Sequence, residues 1–133
     1  MTLEGRIQAF LAQGPFAVVG ASRDRAKFGN KVLRAYLQNG REVYPVNPTA
    51  DEVEGLTAYT DLASLPQRVR SISVITPSPI TETIVEQAGE LGIKHIWMQP
   101  GAESVKAVER AEQLGMNVIA GGPCVLVIQG FHE

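Results

Sequence analysis

Residues 16–29 read FAVVGASRDRAKFG, an apolar run that ends in Gly20-Ala21-Ser22 and is followed by basic residues. A short continuous apolar run is typical of a strand that is buried on both faces of a parallel sheet. The next segment predicts a helix from about Gly29, with Asn30 as the expected capping residue, because its apolar residues recur at helical spacing. The stretch therefore predicts a strand, a tight turn and a helix.

The rest of the chain repeats this alternation. Further strands are predicted at residues 42–47, 71–76, 94–99 and 117–120, and further helices at residues 6–13, 78–92 and 103–115. Ser78 is the expected cap of the second of these helices, followed by Pro79 in its first turn. Strands that alternate with helices of this length indicate βαβ units. We predict an α/β protein with a Rossmann-like, doubly wound, mainly parallel sheet flanked by helices, as a single domain over residues 1–133.

Composition limits the class of protein and the cellular compartment that we expect. The chain has 133 residues, of which 44% are hydrophobic and 20% are charged. No apolar run approaches the roughly 20 residues of a membrane helix, and the N-terminal residues do not resemble a signal peptide. The only cysteine, Cys124, rules out an internal disulfide and a cysteine-based zinc site. We expect a cytoplasmic protein that does not bind membranes.

The charges are unevenly distributed. The formal net charge is −2, yet residues 20–41 contain one acidic residue, Asp24, and six basic ones: Arg23, Arg25, Lys27, Lys31, Arg34 and Arg41. A local basic cluster on an acidic protein favours a small polyanionic ligand over nucleic acid. Lys31 and Arg34 are interpreted as part of a solvated helix face. The acidic residues Asp51, Glu52 and Glu54 are interpreted as a solvated loop.

Ligands of such sheets bind beyond the carboxyl ends of the strands. The predicted ends are Gly20-Ala21-Ser22, Asn47-Pro48, Thr76-Pro77-Ser78, Gln99-Pro100-Gly101 and Gly121-Gly122-Pro123. All five loops carry small, turn-forming or uncharged polar residues. We therefore expect the binding site at this edge.

Two common phosphate loops are absent. The chain has no Gly-Lys-Ser/Thr, which excludes a P-loop NTPase, and it has no G-x-G-x-x-G fingerprint. NAD sites also need an acidic residue at the end of the second strand, where this chain has Asn47. A nicotinamide cofactor is therefore disfavoured.

The stretch around Gly20 still suits a phosphate. Gly20 allows close approach of a ligand, Ser22 offers a hydroxyl and an amide, and the following helix directs its positive end to the same place. Basic side chains on the loop can neutralise further phosphate groups. The alternative is a tight turn without a ligand.

The segments VVGASRDRAKFGNKVLRAYLQNGREVYPVNP, SISVITPSP and GIKHIWMQPGAES resemble the CoA-binding domain family, stand-alone relatives of the N-terminal domain of the succinyl-CoA synthetase α-subunit. The resemblance extends from about Phe16 to Val127. It implies a Rossmann-like fold that binds coenzyme A. It also implies residues for each part of the ligand: Gly20, Ala21 and Ser22 for the diphosphate; Val46, Asn47 and Pro48 for the adenosine; Lys27 or an arginine before it, such as Arg23, for the ribose phosphate; Thr76 and Pro77 beside the adenine or diphosphate; and Met98, Gln99 and Gly101 along the pantetheine arm.

No catalytic constellation is predicted. His95 lies within a predicted strand and is expected to be a packed residue, and no grouped side chains predict a metal site. Cys124 follows a Gly-Gly-Pro turn where the synthetase subunit has Asn-Cys-Pro. It is interpreted as a buried small residue, with a mixed disulfide to CoA as the alternative. The resemblance implies that the synthetase relatives act through a phosphorylated histidine of a second domain, and we expect no such domain within residues 1–133.

The sequence thus favours a module that binds CoA or an acyl-CoA without catalysis of its own. Two alternatives stay open: a subunit of a split acyl-CoA ligase, whose partner supplies the histidine domain, and a regulator that senses NAD(H) or another nucleotide. An enzyme acting alone on acyl-CoA is a further alternative. A homodimer is possible on this sequence, which does not define the oligomeric state.

Overall fold

The computed structural model describes residues 1–66 and 68–133. Its main sheet is built from five parallel strands: β1 (Phe16–Val19), β2 (Val43–Val46), β5 (Ser71–Val74), β6 (His95–Met98) and β7 (Asn117–Ile119). Their order across the sheet is β2-β1-β5-β6-β7. Two short antiparallel strands, β3 (Glu52–Val53) and β4 (Leu56–Thr57), form a separate hairpin.

Helices cover both faces of the sheet. They are α1 (Leu3–Leu11), α2 (Phe28–Gln38), α3 (Ser78–Glu90), α4 (Val105–Gln113) and α5 (Val125–Ile128), with a 3₁₀ turn at Leu62–Ser64. Among the described residues, none of these helices is long and apolar enough to cross a membrane.

The alternation of side chains along the strands divides the core in two. Ala17 and Val19 of β1 pack on the face covered by α3 and α4. Phe16 and Val18 pack on the opposite face, beneath α1, α2 and α5. Because successive strand residues point to opposite faces, a strand must be apolar throughout to bury both. The predicted Rossmann-like, mainly parallel sheet flanked by helices is confirmed.

The helix starts differ from those predicted. α2 begins at Phe28, its N-cap Lys27 makes no side-chain capping bond, and Asn30 lies inside the helix rather than at its cap. α3 begins at Ser78 with Pro77 as the N-cap, one residue earlier than predicted. The hairpin β3–β4 and the helix α5 were not predicted, because short elements give weak sequence periodicity.

Candidate functional site

The candidate site lies where the chain leaves the central strands. From β1 the chain returns to β2 through α2, on one face of the sheet, whereas from β5 it continues through α3 on the other face. The carboxyl ends of β1 and β5 therefore diverge, and such a switch point leaves a crevice in which α/β proteins bind ligands. The segment that follows β1, residues 20–27, is called the β1–α2 loop below.

Gly20 opens this loop with a φ of +95°, in the region that favours glycine. A side-chain carbon at position 20 would overlap the backbone carbonyl of Ile75 on the neighbouring strand end. A side-chain carbon at Gly29 would overlap the carbonyl oxygen of Gly20. The first turn of α2 is thus packed directly on the end of β1.

The loop is ordered by its own polar side chains. The amide of Asp24 donates to Ser22 Oγ at 3.0 Å, and the amide of Ala26 donates to Asp24 Oδ1 at 2.9 Å. The one acidic residue of the loop is therefore used by the backbone.

Several backbone carbonyls of the loop are held by side chains from elsewhere. Asn47 Nδ2 donates to Ala21 O, Asn30 Nδ2 donates to Ser22 O, and Arg34 Nη2 donates to Arg25 O, each at 2.9 Å. Asn47 Oδ1 accepts bonds from Thr49 and Ala50. These contacts draw acceptor atoms of the loop into the protein.

Some amides of the loop and of the start of α2 make no hydrogen bond within the described part of the chain. Within residues 1–66 and 68–133, no protein atom accepts a hydrogen bond from the amides of Ser22, Arg23, Phe28 or Gly29. Phe28 and Gly29 begin a helix, so their amides have no partner within it. Free amides beside a helix N-terminus form a site suited to an anion.

Arg34 is not part of a solvated face, which corrects the sequence interpretation. It is only 8% exposed, its Nε donates to Asn30 Oδ1 at 2.7 Å, and its guanidinium lies over the Phe131 ring at 5.2 Å. Lys31 pairs with Glu133 at 3.0 Å. The position of Arg34 against the loop could not be recognised from charge spacing alone.

The interpretation of the acidic residues after Pro48 as a solvated loop is also wrong at one residue. Glu54 lies at the turn of the β3–β4 hairpin, and its carboxylate accepts a bond from Asn30 Nδ2 at 3.1 Å. It also pairs with Arg25 Nε at 3.6 Å. Its side chain is 22% exposed, so Glu54 packs beside the β1–α2 loop rather than standing in solvent.

A cleft of about 680 Å³ opens at the loop and is called the loop cleft. This volume lies in the range of small-molecule sites. It brings together six of the residues predicted for the site: Gly20, Ala21, Ser22, Lys27, Asn47 and Pro48. The sequence reasoning had not included five others that also line it: Ala26, Phe28, Gly29, Thr49 and Ile75.

A second, more apolar cleft of about 450 Å³, called the α3 cleft, lies at the same strand ends and shares Gly20 and Pro48 with the first. It contains the predicted residues Val46 and Thr76. It is completed by Val19, residues 60–62, Ile80, Thr83, Ile84 and Gln87. The spacing of the last four along α3, directly after the Thr76-Pro77-Ser78 loop, is the signal that could have identified this wall.

The other predicted residues lie outside both clefts. Met98 is fully buried in the core, and Gln99 is 4% exposed. Gln99 Nε2 donates to Cys124 Sγ at 3.4 Å, and Gln99 Oε1 accepts from the amide of Val125 at 2.8 Å. Gly101, Arg23 and Pro77 are exposed but line neither cleft. The structure thus leaves neither the side chain nor the backbone of Met98 exposed to a ligand.

His95 lies at the opposite edge, at the amino end of β6. Its Nδ1 lies 3.0 Å from Asn117 Nδ2, and burial lowers the pKa of its imidazole. Within the part of the chain that the structure describes, no group of His, Cys, Asp and Glu side chains is arranged to hold a metal ion. The groups that can bind an anion and an apolar ring lie at the carboxyl edge, in the loop cleft and the α3 cleft.

Comparison with known proteins gives the family. A family model described as a CoA binding domain matches residues 15–129. The chain is 30% identical over 127 residues to the ADP-forming acetate–CoA ligase II subunit alpha of Pyrococcus furiosus, covering 87% of this chain and 27% of that protein. It spans between 11% and 27% of the length of the ADP-forming acetate–CoA ligases that it matches.

Solved structures with a similar fold include two relatives of this chain. A conserved hypothetical protein of Pyrococcus furiosus superposes with a TM-score of 0.81 and 40% identity, over 85% of this chain and 97% of that one. The dinucleotide-forming acetyl-coenzyme A synthetase 1 of Ca. Korarchaeum cryptofilum superposes with a TM-score of 0.70 and 33% identity. That match covers 80% of this chain and 26% of the synthetase chain.

Proposed function

This chain belongs to the family of CoA binding domains, and we propose that it binds coenzyme A or an acyl-CoA without covalent attachment, as one domain over residues 1–133. We further propose that it has no catalytic activity of its own. The only cysteine is consistent with a place in the reducing cytoplasm.

One observation carries the proposal: side chains from elsewhere hold three carbonyls of the β1–α2 loop, while four amides of the loop and of the start of α2 have no acceptor among the described residues. The amides of Ser22, Arg23, Phe28 and Gly29 have no acceptor among the described residues. A diphosphate is an acceptor with several oxygens, and amides at a helix start bind it well. A loop that only had to turn the chain would not require this division.

We assign different parts of the ligand to the two clefts. We assign the diphosphate to Gly20, Ala21 and Ser22, and the adenosine to the α3 cleft, where Val46, Pro48, Thr76 and Ile80 offer an apolar wall. Asn47 shapes the boundary between the clefts, because its side chain is committed to Ala21 and to the following turn. Pro77 lies at the rim of this region.

The two ends of the ligand follow from these positions. Lys27 lines the loop cleft and is the cation we assign to the ribose phosphate, with Arg23 as an exposed neighbour. The pantetheine arm is proposed to run towards the exposed Gly101, past the end of β6, where Met98 and Gln99 are buried. This direction leads towards Cys124, beside Gln99.

Isothermal titration calorimetry of the ligand-stripped protein tests the proposal. We expect CoA to bind more tightly than dephospho-CoA, because Lys27 gains a partner only in CoA. NAD, which lacks both the ribose 3′-phosphate and the pantetheine arm, is expected to bind weakly. Equal binding of all three would indicate a general adenylate site and favour a nucleotide sensor, and no binding of CoA would refute the proposal.

A second candidate is a subunit of a larger acyl-CoA ligase. It is favoured by the match to a protein named as the alpha subunit of an ADP-forming acetate–CoA ligase, of which this chain spans 27%. This role needs a protein partner that supplies the missing chemistry. Co-purification of the tagged chain from its own cells, followed by an ADP-forming acyl-CoA assay of the complex, tests it.

A further inference from the structure

We propose that Asn30 and Arg34 are positioning residues of the binding site: from helix α2 they hold carbonyls of the β1–α2 loop away from the ligand and thereby aim a loop amide at its diphosphate. This inference rests on the proposed function. It concerns two side chains that line neither cleft.

Asn30 is a fully buried polar residue whose hydrogen-bonding groups are all used. Its Nδ2 donates to Ser22 O at 2.9 Å and to Glu54 Oε2 at 3.1 Å, and its Oδ1 accepts from Arg34 Nε at 2.7 Å. Burial of an amide side chain is unfavourable unless such bonds are made. The bonds determine which way the Asn30 amide faces.

Arg34 lies one helical turn later and supports Asn30. Its Nε binds Asn30 Oδ1 while its Nη2 binds Arg25 O at 2.9 Å, so one guanidinium contacts both the asparagine and the loop. Two donors in a fixed plane are a property of arginine that a lysine ammonium does not reproduce. The Phe131 ring and the Glu133 carboxylate contact the guanidinium as well.

The geometry of the peptide unit explains how these contacts affect the ligand. In a trans peptide the carbonyl of one residue and the amide of the next point in opposite directions. Asn47 holds Ala21 O, which directs the amide of Ser22 the other way. Asn30 holds Ser22 O, which directs the amide of Arg23 away from α2.

Without Asn30, the peptide between Ser22 and Arg23 can rotate. Its carbonyl would then be able to face the cleft, where it would repel a phosphate oxygen instead of donating to it. Positioned donors are effective because the protein has oriented them before the anion binds. Asn30 thus acts on the ligand through the loop backbone.

The test compares Asn30→Asp and Arg34→Lys with the unmodified protein by calorimetry with CoA, dephospho-CoA and ADP. Asn30→Asp preserves shape but removes the donor to Ser22 O, and Arg34→Lys removes the paired contact. We expect affinity to fall about ten- to hundredfold for all three ligands, because all carry the diphosphate. Urea unfolding of each variant identifies those that are folded.

Glu133→Gln is the matched control. It weakens the outer contact of Arg34 and leaves both loop carbonyls held, so its CoA affinity is expected to equal that of the unmodified protein. Folded Asn30→Asp and Arg34→Lys that both bind CoA normally would overturn the inference while the proposed function stands. Failure of the unmodified protein to bind CoA would overturn both.

Amide hydrogen exchange of the unmodified protein tests the inference without a variant. Saturation with CoA is expected to slow exchange at Ser22 and Arg23, whose amides are free. It is expected to change exchange little at Asp24 and Ala26, whose amides already donate to Ser22 Oγ and Asp24 Oδ1. CoA binding without added protection at Arg23 would overturn the inference.

Discussion

Gly29, in the first turn of α2, packs against the carbonyl oxygen of Gly20 so closely that a side-chain carbon at position 29 would overlap that oxygen. This contact joins the end of β1 to the start of α2. It therefore sets how near the helix N-terminus lies to any anion held by the loop between them.

Replacement of Gly29 by alanine is expected to push α2 away from the strand end. Forcing a methyl group into backbone contact destabilises by about 1–3 kcal/mol, and we expect weaker CoA binding as well. Urea unfolding and calorimetry measure the two effects. Gly89→Ala is the control, because its added carbon meets the flexible end of the Leu114 side chain. Equal stability of the two variants would contradict this packing argument.

Lys27 is expected to contribute to recognition of the ribose phosphate. Lys27→Met should weaken CoA binding about three- to tenfold, since exposed charge pairs are worth about 1 kcal/mol, and should change binding of dephospho-CoA much less. The difference should shrink at high salt. Lys94→Met, at the opposite edge of the sheet, is the control. Equal loss of both ligands would remove Lys27 from this role.

Ile80 tests the assignment of adenosine to the α3 cleft. It is 50% exposed, so Ile80→Ser should alter stability little while exposing less apolar surface to the ring. We expect about a fivefold loss of affinity for CoA and for AMP, equivalent to about 1 kcal/mol of apolar contact. Leu91→Ser is a control on the same side of the sheet, 46% exposed and outside this cleft. Unchanged AMP binding would argue against the assignment.

His95 gives a pH dependence that is independent of the ligand. Burial lowers its pKa below the ordinary 6.5, so the unfolded chain binds its proton more readily than the folded one. The contribution of His95 to stability is therefore fully present above pH 6.5 and is lost as the pH falls towards the lower folded value. Urea unfolding at several pH values should show a shallower loss for His95→Gln. An identical profile for the two proteins would contradict the burial of a neutral imidazole.

The strands and the layers of the fold were readable from sequence. Continuous apolar runs such as residues 16–19 fit a parallel sheet with two covered faces, and the structure buries every residue of that run. The same reasoning placed Gly20, Ala21, Ser22, Asn47 and Pro48 at the carboxyl ends of strands, and they line one cleft. Local patterns were sufficient here because the carboxyl ends of parallel strands meet at one edge.

Contacts between segments that are distant in sequence could not be predicted. Asn30 looked like a cap and Arg34 like a surface charge, because nothing in the local pattern shows that Ser22, Arg25 and Glu54 converge on them. Met98 was included as a site residue because the family resemblance implied it, but it is the last residue of β6 and its side chain lies in the core. Tertiary packing determines the burial and the partners of such residues.

The most direct test of the central claim is a titration of ¹⁵N-labelled protein with CoA, followed by amide chemical shifts. If the β1–α2 loop holds the diphosphate, the largest changes will occur at Ser22, Arg23, Phe28 and Gly29, with smaller ones around the α3 cleft. Changes confined to the opposite edge near His95 and Asn117, or no changes at saturating CoA, would contradict the account.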